Sequence, residues 1–310
     1  MTTPQRPISL CTPELRPQAL SVLYRRVPAS LREHLVAEAM AEADAGRVDL
    51  SGLWAARRRG RIAGVLLTQT LAGRAAAVWA PEVEPIWGRG ALAAGLIRVA
   101  LDDMRERGVA IAQALVDRDA PRAAAADLTR GGLPRTTVLT YMHRRTATPL
   151  EHPSSPGFVW RPLCDDTEAE FRSVLERTYA GSLDMPELEG VRSLDDVMAS
   201  HRAAGRFDPS RWRVGTVPGE PEAGAVILLS EVPDRDAWEV AYLGLTPAAR
   251  GRGLGRAALA HGLDLARASA SRLELAVDDR NHPARKLYDA AGFVPFDRRA
   301  VHLAVLRRDG

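Results

Sequence analysis

The residues with the clearest chemical capacity stand between Glu239 and Phe293. Within that stretch, Arg250-Gly251-Arg252-Gly253-Leu254-Gly255-Arg256 alternates glycines with arginines. An apolar, β-prone run, Val240-Ala241-Tyr242-Leu243-Gly244-Leu245, precedes it, and an Ala/Leu-rich segment, 254–268, follows. The spacing predicts a strand, a glycine turn and a helix. The start of such a helix has N–H groups without intrahelical partners and carries about half a positive charge. Glycine lets a ligand press against bare backbone and the arginines add fixed charge, so the chemistry offered is capture of a phosphorylated ligand. The same letters would also make an ordinary glycine-rich turn with solvated arginines.

A second group follows. Leu273-Glu274-Leu275-Ala276-Val277 alternates as a strand does, Asn281-His282-Pro283 reads as a helix start with Asn281 as N-cap, and the helix 284–291 stops at Gly292. Asn281 and Tyr288 are nearly two helical turns apart, so both can face one ligand. Two other phosphate loops are excluded by spacing. A dinucleotide fingerprint counted from Gly251 and Gly253 needs a third glycine where Arg256 stands, and a P-loop needs Gly-Lys-Ser/Thr where the chain has Gly255-Arg256-Ala257.

What fits is Arg-x-x-Gly-x-Gly between strand and helix, followed by Asn281-His-Pro-Ala284 and Leu287-Tyr288-Asp-Ala-Ala-Gly292-Phe293. This pair of motifs resembles the GNAT (GCN5-related N-acetyltransferase) superfamily. The resemblance implies an α/β (α+β, GNAT-like) fold and acetyl-CoA as the acyl donor. It implies that Arg250, Gly251, Arg252, Gly253, Leu254, Gly255 and Arg256 hold the pyrophosphate, and that Asn281 and Ala284 line the pantetheine. By the same resemblance the backbone of Leu243 and Leu245 pairs with the pantetheine arm, the Leu245 N–H serving as oxyanion donor.

Acetyl transfer to an amine needs a group to take the ammonium proton, a donor to the oxyanion and an acid for the departing thiolate. Glu239 is the candidate base, acting directly or through water, and Tyr288 is the candidate acid. Alternation would put Glu239 on one strand face with Ala241, Leu243 and Leu245. A solvated glutamate at a strand start and an aromatic stapling helix to sheet are the structural alternatives for these two residues. The acceptor site is expected in the loop 178–188, where Tyr179, Ser182 and Asp184 offer an aromatic wall, a hydroxyl and a carboxylate. Asp184 suits a cationic amine or, before Met185-Pro186, a turn cap. Trp212 and Trp238 read as core or rim, and His261 as a helix-surface or cleft-edge residue without a role.

The rest of the chain bounds these readings. At 310 residues it has room for two domains of ordinary size, and 46% apolar with 26% charged residues is a globular composition. The formal charge of +3 is small, and no basic run carries interleaved aromatics, so no nucleic-acid partner is expected. No metal is expected either: Cys11 and Cys164 are isolated and no Cys/His spacing suits zinc. The first ten residues lack the apolar centre of a signal peptide, and no apolar run is long enough for a bilayer, so a cytoplasmic protein without a membrane partner is expected.

In the first half, 14–27, 31–45 and 92–107 read as helices, 52–57 and 61–71 as a hairpin turning at Arg59-Gly60, and 75–80 and 109–116 as strands. In the second half, 158–161 reads as a strand, 168–179 and 194–204 as helices, 211–217 and 223–230 as a hairpin, and 294–307 as further strand. The halves repeat: 116–134 runs in register with 277–295, and Gly88-Arg89-Gly90 stands where Gly253-Leu254-Gly255 stands. The layout resembles tandem two-domain members of the superfamily, mycothiol synthase among them. Two GNAT domains, each a mixed sheet flanked by helices, are expected at 1–145 and 158–310, joined by a Pro/Ser-rich linker at 146–157. The first half has Pro85, Ala120 and Asp127 where the second has Arg250, Asn281 and Tyr288, so it is expected to be non-catalytic. The function implied is N-acetylation of a small-molecule or peptide amine by a monomer or homodimer. An idle acyl-CoA sensor and a mycothiol-synthase-like enzyme are the alternatives.

Overall fold

The computed structural model describes residues 7–150, 157–232 and 235–306. Residues 151–156 of the expected linker and Arg307 of the expected last strand lie outside the described residues. The chain divides into two compact units, Met1–Thr136 with Ala300–Gly310, and Thr137–Arg299.

The first unit contains β1 (Ile8–Leu10), α1 (Arg16–Leu23), α2 (Ala29–Asp44), β2 (Leu53–Arg58), β3 (Arg61–Leu71), β4 (Ala75–Val78), β5 (Glu82–Val83), α3 (Arg89–Glu106), β6 (Ile111–Val116) and α4 (Ala123–Gly131). The hairpin β2–β3 turns where expected. Arg58 pairs with Arg61, and Arg59 and Gly60 both have positive φ, as a tight two-residue turn requires. β4 and β6 run parallel, joined by α3, whose Ala93, Leu96, Ile97 and Ala100 are buried against the sheet.

The second unit opens with most of β7 (Arg135–Arg145) and continues through β8 (Val159–Pro162), α5 (Glu168–Tyr179), α6 (Leu194–Arg202), β9 (Trp212–Val217), β10 (Glu220–Val232), β11 (Ala237–Leu245), α7 (Leu254–Arg267), β12 (Arg272–Asp278), α8 (His282–Ala290) and the start of β13 (Val294–Val305). Its sheet runs β7-β12-β11-β10-β9-β8, with only β11 and β12 parallel. One face packs on α5 and α6 through Phe171, Leu175, Met198, Val226 and Leu228. The other packs on α7 and α8 through Ile227, Leu229, Leu259, Leu263 and Tyr288. Trp212 and Trp238 are buried, as the sequence suggested.

The unit boundary falls at Thr137 rather than in the segment 146–157. Residues 139–145 of β7 pair with β12, and residues 300–305 of β13 pair with β6. An edge strand leaves a row of N–H and C=O groups unpaired, and each sheet satisfies that edge with a strand from the other half of the sequence. Linker composition follows chain continuity and is blind to such pairing.

Candidate functional site

The parallel ladder between β11 and β12 is short. It runs from Ala237–Arg272 to Val240–Leu275 and stops, so residues 241–245 and 276–278 diverge. A cleft of about 660 Å3 opens between them, walled by the 240–245 strand, Leu275 to Val277, the turn at 250–256, α8 and residues 181–184. Strand, turn, helix and loop thus meet at one place because the sheet splits there.

The glycine turn forms as expected. Gly251 and Gly253 have φ of +72° and +77°, and a Cβ at either position would meet nothing within 4 Å. The turn is therefore an open cradle of bare backbone at the start of α7, which fits a pyrophosphate group. Gly255 serves packing instead, since a Cβ there would stand 3.2 Å from Leu287 of α8. Arg256 lines the cleft. Arg252 is turned away and forks onto Glu220, at 2.7 and 3.0 Å. The Leu254 side chain is buried with Val217, Ala223 and Ala249.

Arg250 is placed where the motif predicts but is already engaged. Its guanidinium donates to the carbonyls of Thr178 (2.8 Å), Ala180 (2.8 Å), Gly181 (3.1 Å) and Leu245 (3.1 Å). Two of these carbonyls lie at the C-terminal end of α5, where orphan acceptors need a partner. Arg250 thus ties the loop after α5 to the turn before α7.

On the far wall, Asn281 caps α8, its Oδ1 accepting from the Ala284 N–H at 3.2 Å, and both residues line the cleft. Tyr288 is buried and also lines it, and burial together with the nearby Asp184 and Tyr242 raises its phenol above the ordinary value. The proton stays on at neutral pH, as an acid requires. Leu243 and Leu245 expose the cleft-side backbone of β11.

Glu239 departs from the expected alternation. Across β10, Leu228 faces Tyr242 and Leu229 faces Val240, so Ala241 is an extra residue that shifts the register. Directly opposed residues share a face, and a bulge re-aims the strand beyond it. Glu239, opposite Ser230, is therefore on the face of Leu228 and Tyr242, while Leu243, opposite Ile227, is on the other. The expected row of Glu239, Ala241, Leu243 and Leu245 on one face does not form. Glu239 lies beside Glu274, which pairs with Arg235 at 3.1 Å. Burial raises its carboxyl pKa, with Arg235 opposing and Glu274 adding to the rise.

The acceptor loop divides. Ser182 and Asp184 line the cleft, whereas the Tyr179 hydroxyl is bonded to His201 Nε2 at 3.0 Å and its ring packs on Tyr242. Sequence reasoning missed His201, whose pKa burial and Arg192 lower to about 4. It also missed Asp278. The Asp278 N–H donates to Asp184 Oδ1 (3.0 Å), Asp278 Oδ2 accepts from the Met185 N–H (3.2 Å), and Arg280 bridges Asp278 and Glu187. The first Asp of the Val277-Asp-Asp-Arg run was a visible signal, but its partners lie in the loop after α5, far off in sequence.

In the first unit the matching turn has Gly88 at φ +79° and Gly90 against Arg130. Arg89, next to Gly88, forks onto Asp127, at 3.1 and 2.6 Å, and that carboxylate is 1% exposed. The position corresponding to Tyr288 is thus filled by a carboxylate held in an ion pair with Arg89.

The model of the acetyltransferase (GNAT) family matches residues 192–293, which carry β9 to β12, the glycine turn and α8. A mycothiol acetyltransferase of Beutenbergia cavernae is 37% identical over 157 residues, 50% of this chain and 49% of that protein. Another, of Gordonia bronchialis, is 29% identical over 74% of this chain and 72% of that protein. The chain spans about half the length of the first curated relatives it matches. A GCN5-related N-acetyltransferase of Sphaerobacter thermophilus has the same fold over 97% of this chain and 95% of its own, with a TM-score of 0.58 at 18% identity. No described helix is long and apolar enough to cross a membrane.

Proposed function

We propose that this protein, whose C-terminal half carries a GNAT domain, is an acetyl-CoA-dependent N-acetyltransferase with its active site in the cleft between β11 and β12. The observation that carries the proposal is the convergence of the open glycine cradle, Asn281, Ala284, Tyr288 and the loop after α5 on that single cleft. The pyrophosphate of the donor would rest on the N–H groups of residues 251–255, and its pantetheine arm would lie along Leu243 to Leu245 as an added strand. That direction leads the thioester toward Tyr288.

The acceptor amine must lose a proton before its lone pair can attack the thioester carbon. Glu239, with its raised pKa, is the proton acceptor and works through water, because it stands outside the cleft wall. The Leu245 N–H stabilises the oxyanion, and Tyr288 gives its proton to the departing sulfur. The acceptor is a primary amine. Similarity to mycothiol acetyltransferases over half of the chain makes the free-amine form of mycothiol the first acceptor to try.

The test is calorimetric titration with acetyl-CoA, followed by thiol release in the presence of amines. Binding at one site per chain with amine-dependent release supports the proposal; absence of acetyl-CoA binding overturns it.

A further inference from the structure

The loop after α5 is fastened at both sides of the cleft. Arg250 holds the Ala180 and Gly181 carbonyls on the side of the glycine turn. On the side of β12, the Asp278 N–H holds Asp184, Asp278 holds the Met185 N–H, and Arg280 holds Glu187. Met185 has φ +48°, a conformation costing about 1–3 kcal/mol for a non-glycine residue, so the fastening keeps the loop in an unfavourable shape. Strain of this kind is retained where it places something.

What it places is Asp184. Only Oδ1 of this carboxylate is used, by the Asp278 N–H, and no cation among the described residues pairs with it within salt-bridge distance. Arg280, whose charge acts on Asp184, is taken by Glu187 and Asp278. Asp184 is accessible from the cleft, so an incoming cation can reach its carboxylate, and the fully buried Asp278 beside it adds to the negative field there. Asp184 lines the same cleft as Tyr288 and Leu243 to Leu245.

From this geometry we infer that Asp184 is the carboxylate that receives the protonated amine of the acceptor, its free Oδ2 accepting from the ammonium and holding the nitrogen on the Tyr288 side of the cleft. The inference rests on the acetyltransferase reading and deepens it. The acceptor is a primary ammonium whose charged group enters first, and neutral or anionic molecules are rejected. Asp184 orients the acceptor, and proton removal stays with Glu239.

The groups facing Asp184 are Asp278, Arg280, Tyr242 and Tyr288, and partial loss of hydration in the cleft outweighs the arginine to hold its pKa above the ordinary value. A bound ammonium reverses the balance and lowers it. The experiment follows the Asp184 side-chain carboxyl by carbon NMR in the full chain, assigned by its loss in Asp184→Asn, with and without L-cysteine amide or D-glucosamine. The titration midpoint is expected to fall when either amine is added. In thiol-release assays with the same amines, Asp184→Asn is expected to raise the acceptor KM about 10- to 100-fold, the loss of one charge-assisted hydrogen bond. Its acetyl-CoA affinity is expected to stay within about twofold of wild type, because asparagine keeps the acceptor for the Asp278 N–H and touches no part of the cradle. Asp184→Glu is expected to recover part of the KM. A midpoint unmoved by both amines, or an unchanged acceptor KM in Asp184→Asn, overturns the inference. Absence of acetyl-CoA binding in calorimetry would overturn the acetyltransferase reading instead, while the amine-induced shift would still decide the role of Asp184.

Discussion

Replacing Arg250 separates two readings of the same motif. As a phosphate ligand, its loss should weaken acetyl-CoA binding; as a clamp, its loss should free the acceptor loop. The geometry favours the clamp, because the guanidinium already reaches four carbonyls at 2.8 to 3.1 Å. A hydrogen bond from a charged donor contributes about 1.5–3 kcal/mol when shielded, but much of this side chain meets water and the net value is nearer 0.5–1.5 kcal/mol per bond. Two bonds, to Ala180 and Gly181, hold the loop itself, so Arg250→Ala should release about 1–3 kcal/mol of loop fastening. That corresponds to a loss of about 5- to 150-fold in acceptor kcat/KM, carried mainly by KM, with acetyl-CoA affinity changed by less than about threefold. Arg250→Lys should behave like the alanine variant, since one ammonium cannot span carbonyls that a planar fork reaches. Calorimetry with acetyl-CoA and steady-state thiol release with an amine measure the two quantities independently. A tenfold or greater fall in acetyl-CoA affinity with an unchanged acceptor KM would refute the clamp and restore the phosphate contact.

Other expectations concern single groups. Tyr288→Phe should lower kcat about 10²-fold with acetyl-CoA affinity nearly unchanged, because only the proton donor is lost; equal losses in both would make the tyrosine structural. Gly253→Ala should cost about 1–2 kcal/mol of stability through the left-handed backbone, with no clash, yet cut acetyl-CoA affinity at least about tenfold by filling the cradle. Thermal melts and calorimetry check the two parts. Because Arg89 and Asp127 close the corresponding turn of the first unit, acetyl-CoA should titrate to one site per chain, and two equivalent sites would contradict that closure. His201 has a pKa of about 4 in the folded chain against an ordinary 6.5, so the unfolded chain takes up its proton first. Its contribution is intact above pH 6.5 and lost as pH falls toward 4, by about 3 kcal/mol. Melting temperature should drop more steeply over that window in wild type than in His201→Gln; parallel profiles would place the titration elsewhere.

Much of this was legible in the sequence because it is local. Helix 168–179 and its stop, the strand–turn–helix at 237–267, the Asn281 cap and the glycines of positive φ follow from propensity, capping and backbone freedom, all of which act over a few residues. So did the presence of Tyr288 and Asn281 on one side of α8, since helical spacing is set by the backbone alone. What depended on distant partners was not legible. The cleft exists because the β11–β12 ladder ends at Val240 and Leu275, and a ladder's length is decided by two strands and the helices packed on them. The bulge at Ala241 appears only against β10, and it turns Glu239 to the face opposite Leu243. Arg250 finds its carbonyls some seventy residues earlier, and Asp184 meets Asp278 at 94 residues' separation. The motif therefore determined where a ligand's phosphates could be held. Tertiary structure decided which charged groups remained free to meet an acceptor, because a charge is committed by whatever partner the folded chain brings within hydrogen-bonding distance.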